Sequence, residues 1–286
     1  MSDLPDDGPG PESSSGSGPE STETAEPVFE TTVRAGVCRL SRPRTRWLST
    51  GWDGGESVGP AAYNVTVPEG WPETDLAAYV ESRRADAGFA DAGPTLLTGV
   101  SQDNARRARL DGVEAVVTAG LSNPAALPVD AERPLPTVEV DTDADDTVDD
   151  RGGRPFTDPA APDGSDDALD GDPPGTVNVV VGTTRALAPG ALPNLVAVAA
   201  EAKAATLLAV AGVPGTTTDA VVAGCDPDGR RARVSGSATP VGRAARACVR
   251  DALLASLRSR YSGERPTAET AEYGLVTDVR AEVRRV

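Results

Sequence analysis

The sequence contains no histidine. That removes the usual general base, the commonest metal ligand and the ordinary partner of a catalytic serine or cysteine. Any catalysis must therefore run on carboxylates, hydroxyls, amides or lysine. Lysine is nearly gone as well: of 27 basic residues only Lys203 is a lysine, and the others are all arginine. Aromatic residues make up 3% of the chain, so the core has to be built from Val, Leu and Ala. The three cysteines, Cys38, Cys225 and Cys248, are far apart and odd in number. Without CxxC spacing they indicate neither a zinc site nor a disulfide framework, and they read as small buried hydrophobes. No apolar run reaches the roughly 18 residues of a membrane span. The N-terminus has no basic start followed by an apolar stretch, so no secretory signal is expected and the expected location is cytoplasmic. Neither GxGxxG nor a Walker A pattern occurs, so the ordinary dinucleotide and nucleoside triphosphate signals are absent.

What is abundant is acid. Against the 27 bases stand 44 carboxylates, a net charge of -17. With lysine almost eliminated, this balance suggests a protein from a salt-accumulating halophile, although a high-GC coding bias also replaces Lys with Arg. The acid is concentrated in two tracts. Residues 1–30 carry eight carboxylates and no base, and residues 130–173 carry 15 carboxylates and three arginines. Both are rich in Gly and Pro and poor in large apolar residues, the composition of disordered segments. The expected organisation is an acidic tail over 1–30, one domain over 31–262 interrupted by an acidic insertion at 130–173, and a peripheral charged segment over 263–286. Asp141, Asp143 and Asp145 resemble a calcium loop, but its glycine and distal glutamate are misplaced, so no metal site is assigned. Two small arginine clusters, at Arg106–Arg109 and Arg243–Arg250, have no interleaved aromatics and read as solvated faces rather than a nucleic-acid surface.

Periodicity predicts strands over 31–40, 44–49, 61–67, 95–100, 113–118, 176–181 and 219–223, with 41–43 as a turn and 231–235 pairing with 219–223. It predicts helices over 73–87 (capped by Thr74), 102–110, 189–212 and 241–260, the third stopped by Gly212 and Pro214. The fold class is α/β (mixed α+β): one mixed sheet with helices packed on it, in a single domain.

Four places, with a weaker fifth, could carry chemistry. At 100° per residue, Leu192, Val196, Ala199, Lys203, Thr206 and Val210 share one helix face, which places Lys203 in an apolar stripe. A core-facing lysine is costly unless it is paired or functional. It reads as a base or substrate-holding cation, or else as a snorkelling side chain. Glu201 points to the opposite side, so a Glu201–Lys203 pair is not expected. Gly215-Thr216-Thr217-Thr218-Asp219 precedes a strand and offers hydroxyls and a carboxylate in five residues, or is simply a polar loop. Thr118-Ala119-Gly120-Leu121-Ser122-Asn123-Pro124 follows a buried strand; Ser122 could attack a carbonyl and Asn123 donate to an oxyanion, or the segment is an Asn-Pro turn. Asn178 lies inside an apolar strand, and its amide must either tie down a neighbour or face the site. Asp53, in the tight turn Trp52–Gly55, is a weaker candidate carboxylate.

The ordered segments TAGLSNPA (118–125), GTVNVVV (175–181), EAKAATL (201–207), GTTTDAVV (215–222) and GSATPVG (236–242), with LSTGWDGG (48–55) and AAYNVTV (61–67) before them, resemble the adenosylcobinamide amidohydrolase family. The resemblance covers roughly residues 33–257, and the acidic tail and insertion stand outside it. It implies hydrolysis of the amide joining the aminopropanol arm to the corrin ring of adenosylcobinamide, giving adenosylcobyric acid in cobalamin precursor salvage. It implies no cofactor, since the cobalt belongs to the substrate. The expected catalytic set is Lys203, Asp219, Thr218 and Ser122. In it Lys203 or Asp219 is the base for a hydroxyl or for water. The expected substrate-binding set is Asn123, Asn178, Gly120, Thr216 and Thr217. The expected partner is a small corrinoid, with no nucleic acid and no membrane; the oligomeric state is left open. The alternatives are a non-catalytic corrinoid-binding protein and an amidase acting on another amide.

Overall fold

Three valine-rich segments are buried along their whole length and form the centre of one sheet, as expected for strands covered on both faces. The computed structural model describes residues 27–68, 75–129, 175–263, 267, 271 and 274–284. The acidic insertion at 130–173 and most of the acidic tail lie outside the described residues, as does Thr74. In chain order the elements are β1 (Glu30–Arg34), β2 (Val37–Ser49), β3 (Gly55–Thr66), α1 (Leu76–Asp86), β4 (Thr95–Thr98), β5 (Arg106–Leu110), β6 (Val113–Ala119), β7 (Pro124–Ala126), β8 (Val177–Thr183), β9 (Ala186–Leu187), α2 (Ala191–Ala211), β10 (Gly215–Thr216), β11 (Ala220–Cys225), β12 (Arg231–Ala232), α3 (Pro240–Arg260) and β13 (Leu275–Val276).

The main sheet runs β4-β3-β2-β11-β8-β6-β5, with β1 added beside β2. It is mixed: β3/β4 and β8/β11 are parallel and the other neighbours antiparallel. One face of the centre (Val113, Ala115, Val117, Val177, Val179, Val181) packs on α2 and α3. α3 buries Val241, Ala245, Cys248, Ala252 and Leu257 at helical spacing, and starts on a Thr239 cap that accepts from Gly242 N at 3.0 Å. α2 is long and apolar enough to cross a membrane by length and composition, and here nine of its residues are buried. It ends where Gly212 takes the left-handed conformation.

On the opposite face Val116, Val180 and Val222 meet Phe29, Leu40, Trp47, Ala62 and Leu96. Those partners come from the β1–β4 part of the same sheet, which therefore curls back over its own centre. Val28 and Phe29, within the stretch assigned to the tail, are buried there. Phe29 stacks on Trp47 with ring centroids 5.5 Å apart and lies against Gly182, where a Cβ would come within 2.0 Å of its ring. Val28 N donates to fully buried Glu114 at 2.9 Å, and Arg109 lies 3.2 Å from the same carboxylate. Burial pushes the Glu114 carboxyl upward, against the lowering by its Val28, Arg109 and Arg107 partners.

Several expected elements are corrected. The segment expected to be a helix over 102–110 is a single 3-10 turn, Gln102–Asn104, followed by β5, which pairs with β6 across an Asp111-Gly112 turn with both φ angles positive. The expected turn at 41–43 is a bulge inside one long strand, where Thr45 Oγ1 donates to Arg42 O at 2.8 Å and Pro43 has no N–H for the ladder. The expected strand over 31–40 is two strands, β1 and the start of β2, turning at Ala35-Gly36. Arg231–Ala232 pairs with β9, not with 219–223, because β2 and β8 already occupy both edges of β11. The first helix is capped by Asp75, not Thr74: its carboxylate accepts from Ala78 N at 3.0 Å.

Candidate active site

Three loops meet where β6 ends and β8 and β11 begin. Gly120–Asn123 leads into β7, Gly175–Thr176 into β8, and Thr217–Asp219 into β11. β10 pairs with β7 (Thr216 opposite Pro124), Thr217 N donates to Asn123 O at 3.1 Å, and Gly120 N donates to Thr176 O at 3.0 Å. The β2–β3 turn joins from the side, through reciprocal bonds of 2.9 Å between Thr50 and Val221.

Asp219 holds this junction together. Its carboxylate accepts from Val177 N at 2.8 Å, from Thr216 N at 3.0 Å, from the Thr216 hydroxyl and from Lys203 Nζ. Lys203 and Asp219 form an ion pair with side chains 12% and 10% exposed. Glycine beneath the pair leaves it room: a Cβ on Gly215 would lie 2.6 Å from Asp219 Oδ2 and 2.8 Å from Lys203 Nζ and would have to displace them. Gly175 is more tightly constrained, because a Cβ there would lie 2.3 Å from both the backbone N and the Oγ of Ser122. Glu201 faces away and pairs with Arg246 of α3.

The sequence-derived candidates therefore assemble. Lys203, Asp219, Thr216, Thr217, Thr218, Gly120, Ser122 and Asn123 all lie at this sheet end. Among the described residues the hydroxyls of Ser122, Thr217 and Thr218 have no hydrogen-bond partner, and Asn123 Oδ1 is buried without one. The Thr218 side chain is exposed, and its carbonyl accepts from Thr176 Oγ1 at 3.0 Å. Asn178 sits on the opposite face of the sheet. Both its N–H groups are committed to the protein, to Asn64 Oδ1 at 2.9 Å and to Leu97 O at 2.8 Å. Asn64 in turn donates to Thr118 Oγ1 at 2.9 Å. Of the two roles open to Asn178, tying down its neighbours is the one its hydrogen bonds occupy. Asp53, the weaker candidate carboxylate, is exposed in the β2–β3 turn with a positive φ.

Asn64 and Thr176 escaped the sequence reading. Asn64 carried the same signal as Asn178, a lone amide in an apolar strand, and could have been found by the same argument. The cysteines are buried and unpaired, and burial pushes the Cys38 and Cys248 thiols up to about 12, so neither is a nucleophile at neutral pH. Among the described residues no three Asp, Glu or Cys side chains are grouped so as to hold a metal ion.

Comparison with known proteins gives this junction a context. A curated adenosylcobinamide amidohydrolase of Halobacterium salinarum is 52% identical over 260 residues, covering 90% of this chain and 100% of that protein. The adenosylcobinamide amidohydrolase family profile matches residues 19–265, and the chain belongs to that family.

Proposed function

We propose that this protein hydrolyses the amide joining the aminopropanol arm of adenosylcobinamide to its corrin ring. Water adds across the C–N bond: its oxygen completes the carboxyl of adenosylcobyric acid, and a proton passes to the departing aminopropanol nitrogen. The observation that carries the reading is the Lys203–Asp219 pair, on which three loops from separate motifs converge, in a chain of this family.

The geometry supports a division of labour. A carboxylate already accepting four donors has little capacity left to act as a base, so Asp219 positions the loops and the lysine. Lys203, paired as a cation, has two further N–H donors and stabilises the oxyanion that develops on the amide carbonyl. The attacking oxygen is that of water or of Ser122, whose hydroxyl is unengaged, and Asn123 Oδ1 supplies an acceptor to orient it. The net charge of -17 and the halobacterial relative support concentrated salt as the working medium.

The test is incubation of the purified protein with adenosylcobinamide in molar salt, followed by mass analysis of the corrinoid. Loss of the aminopropanol arm supports the reading, and Lys203→Met should abolish that loss while leaving binding intact. Bound but uncleaved substrate would favour a carrier, and cleavage of other amides alone would favour a different amidase.

A further inference from the structure

A cleft of about 420 Å3 opens between the β2–β3 turn and α1. Trp52, Asp53 and Glu56 of the turn line it from one side, Glu81 and Arg84 of α1 from the other, and Thr95 closes its floor. It lies next to the junction described above, since the residue that begins the turn, Thr50, is bonded to Val221 two residues beyond Asp219. One turn thus has the hydrolytic loops on one flank and the cleft on the other.

Three properties of the cleft specify a ligand. Its volume is at the lower end of the roughly 300–1,000 Å3 range of small-molecule sites. That suits a purine nucleoside and is too small for a corrin macrocycle with its amide arms. Trp52 is 42% exposed, an aromatic face left open to solvent in a chain with only 3% aromatics. Such a face stacks on a planar base. Acceptors predominate among its polar groups. Among the described residues Asp53, Glu56 and Glu81 make no hydrogen bond or ion pair, and they outnumber the cleft's one cation, Arg84, which donates to Asp91 O at 3.3 Å and lies over the Tyr63 ring. Carboxylates accept from the vicinal hydroxyls of a ribose and from an exocyclic amine, as acidic side chains do in nucleotide-binding folds. With three carboxylates against one arginine, the same walls disfavour a phosphate. The carboxylates are not grouped as a metal site either.

We propose that this cleft is a nucleoside subsite that holds the 5′-deoxyadenosyl group of the corrinoid while the aminopropanol amide lies at the Lys203 junction. The proposal rests on the corrinoid reading above, and it assigns Trp52 as the stacking residue and Asp53 and Glu56 as the ribose-binding residues. The site then discriminates adenosylated corrinoids from those carrying water or cyanide on the same cobalt face.

The experiment measures binding rather than turnover, so it remains informative if hydrolysis fails. Dissociation constants of the full-length protein are measured in molar salt for adenosylcobinamide and for dicyanocobinamide. Base–aromatic stacking predicts a preference of about tenfold or more for the adenosylated ligand, reduced to near unity in Trp52→Ala and largely retained in Trp52→Phe. Because Trp52 is exposed, neither substitution removes core packing. Equal affinities in the unsubstituted protein, or a preference that survives Trp52→Ala, would overturn the subsite. Failure to bind either corrinoid would overturn it too, together with the reading beneath it. Binding with the predicted preference but without cleavage would sink the hydrolase alone.

Discussion

Replacing Asp219 by alanine strips four donors of their acceptor at once: the amides of Val177 and Thr216, the Thr216 hydroxyl and Lys203 Nζ. The lysine side chain is 12% exposed, so solvent does little to replace the lost partner. Breaking a buried pair from one side in this way costs about 3–5 kcal/mol, much of it the penalty of a stranded charge. Lys203→Met is the informative contrast. It removes the charge but leaves the carboxylate with its three other donors, so the cost falls to about 1–2 kcal/mol. For a domain of this size each kcal/mol shifts Tm by roughly 2–4 °C. Asp219→Ala should therefore melt on the order of 10 °C lower and Lys203→Met only a few degrees lower, in the same molar salt. Urea midpoints with an unchanged m-value should repeat the order. In the amide assay the ranking separates: both variants lose turnover, but only Asp219→Ala also loses the fold's margin. If Asp219→Ala melts with Lys203→Met or above it, the carboxylate does not clasp the loops and the argument is wrong.

Gly215→Ala inserts a methyl 2.6 Å from Asp219 Oδ2 and 2.8 Å from Lys203 Nζ, so it should split the pair and abolish turnover at a stability cost of about 1–3 kcal/mol, read by kinetics and thermal melting side by side. Asn178→Ala leaves Asn64 Oδ1 and Leu97 O without their donor; it should cost about 2–4 kcal/mol, and a double-mutant cycle with Asn64→Ala should show less than additive loss. Glu114 has a folded-state pKa raised by burial, so the native state holds its proton to higher pH than the unfolded chain. Stability should thus be greatest below the ordinary glutamate pKa with respect to this group, and should fall as pH rises through the raised value. Glu114→Gln should flatten that part of the stability-against-pH curve, and an unchanged slope in urea titrations would count against it.

The central strands were legible because burial on both faces leaves continuous runs of valine, and α3 was legible because its cap, first-turn proline and apolar spacing agree. The failures have two causes. The segment 102–110, lying between two expected strands, reads as a helix, yet the Asp111-Gly112 pair that follows is a strong hairpin signal, and the pairing of β5 with β6 decides the matter. In β2 the proline at 43 read as a turn, but the strand has partners on both edges and absorbs it as a bulge. In β2 the local signal loses because ladders on both sides hold the segment.

At the site the same contrast holds between residues that act alone and residues that act through a partner. Lys203 stood out because it is the one lysine and lies in an apolar stripe, and its stripe does turn it inward. Its partner Asp219 is sixteen positions away across a helix end and a loop, a relation that spacing does not encode. The glycines are the clearest case. Gly175 and Gly215 look like ordinary loop residues in sequence, and only the approach of the Ser122 backbone and of the ion pair shows what a side chain there would displace. Thr176 connects the two faces of the sheet end. Its hydroxyl lies 3.0 Å from Thr218 O on one side and 3.2 Å from Asn178 Oδ1 on the other, and a hydroxyl has one proton to give. The Asp219 loop and the Asn64–Asn178 amides therefore compete for a single donor.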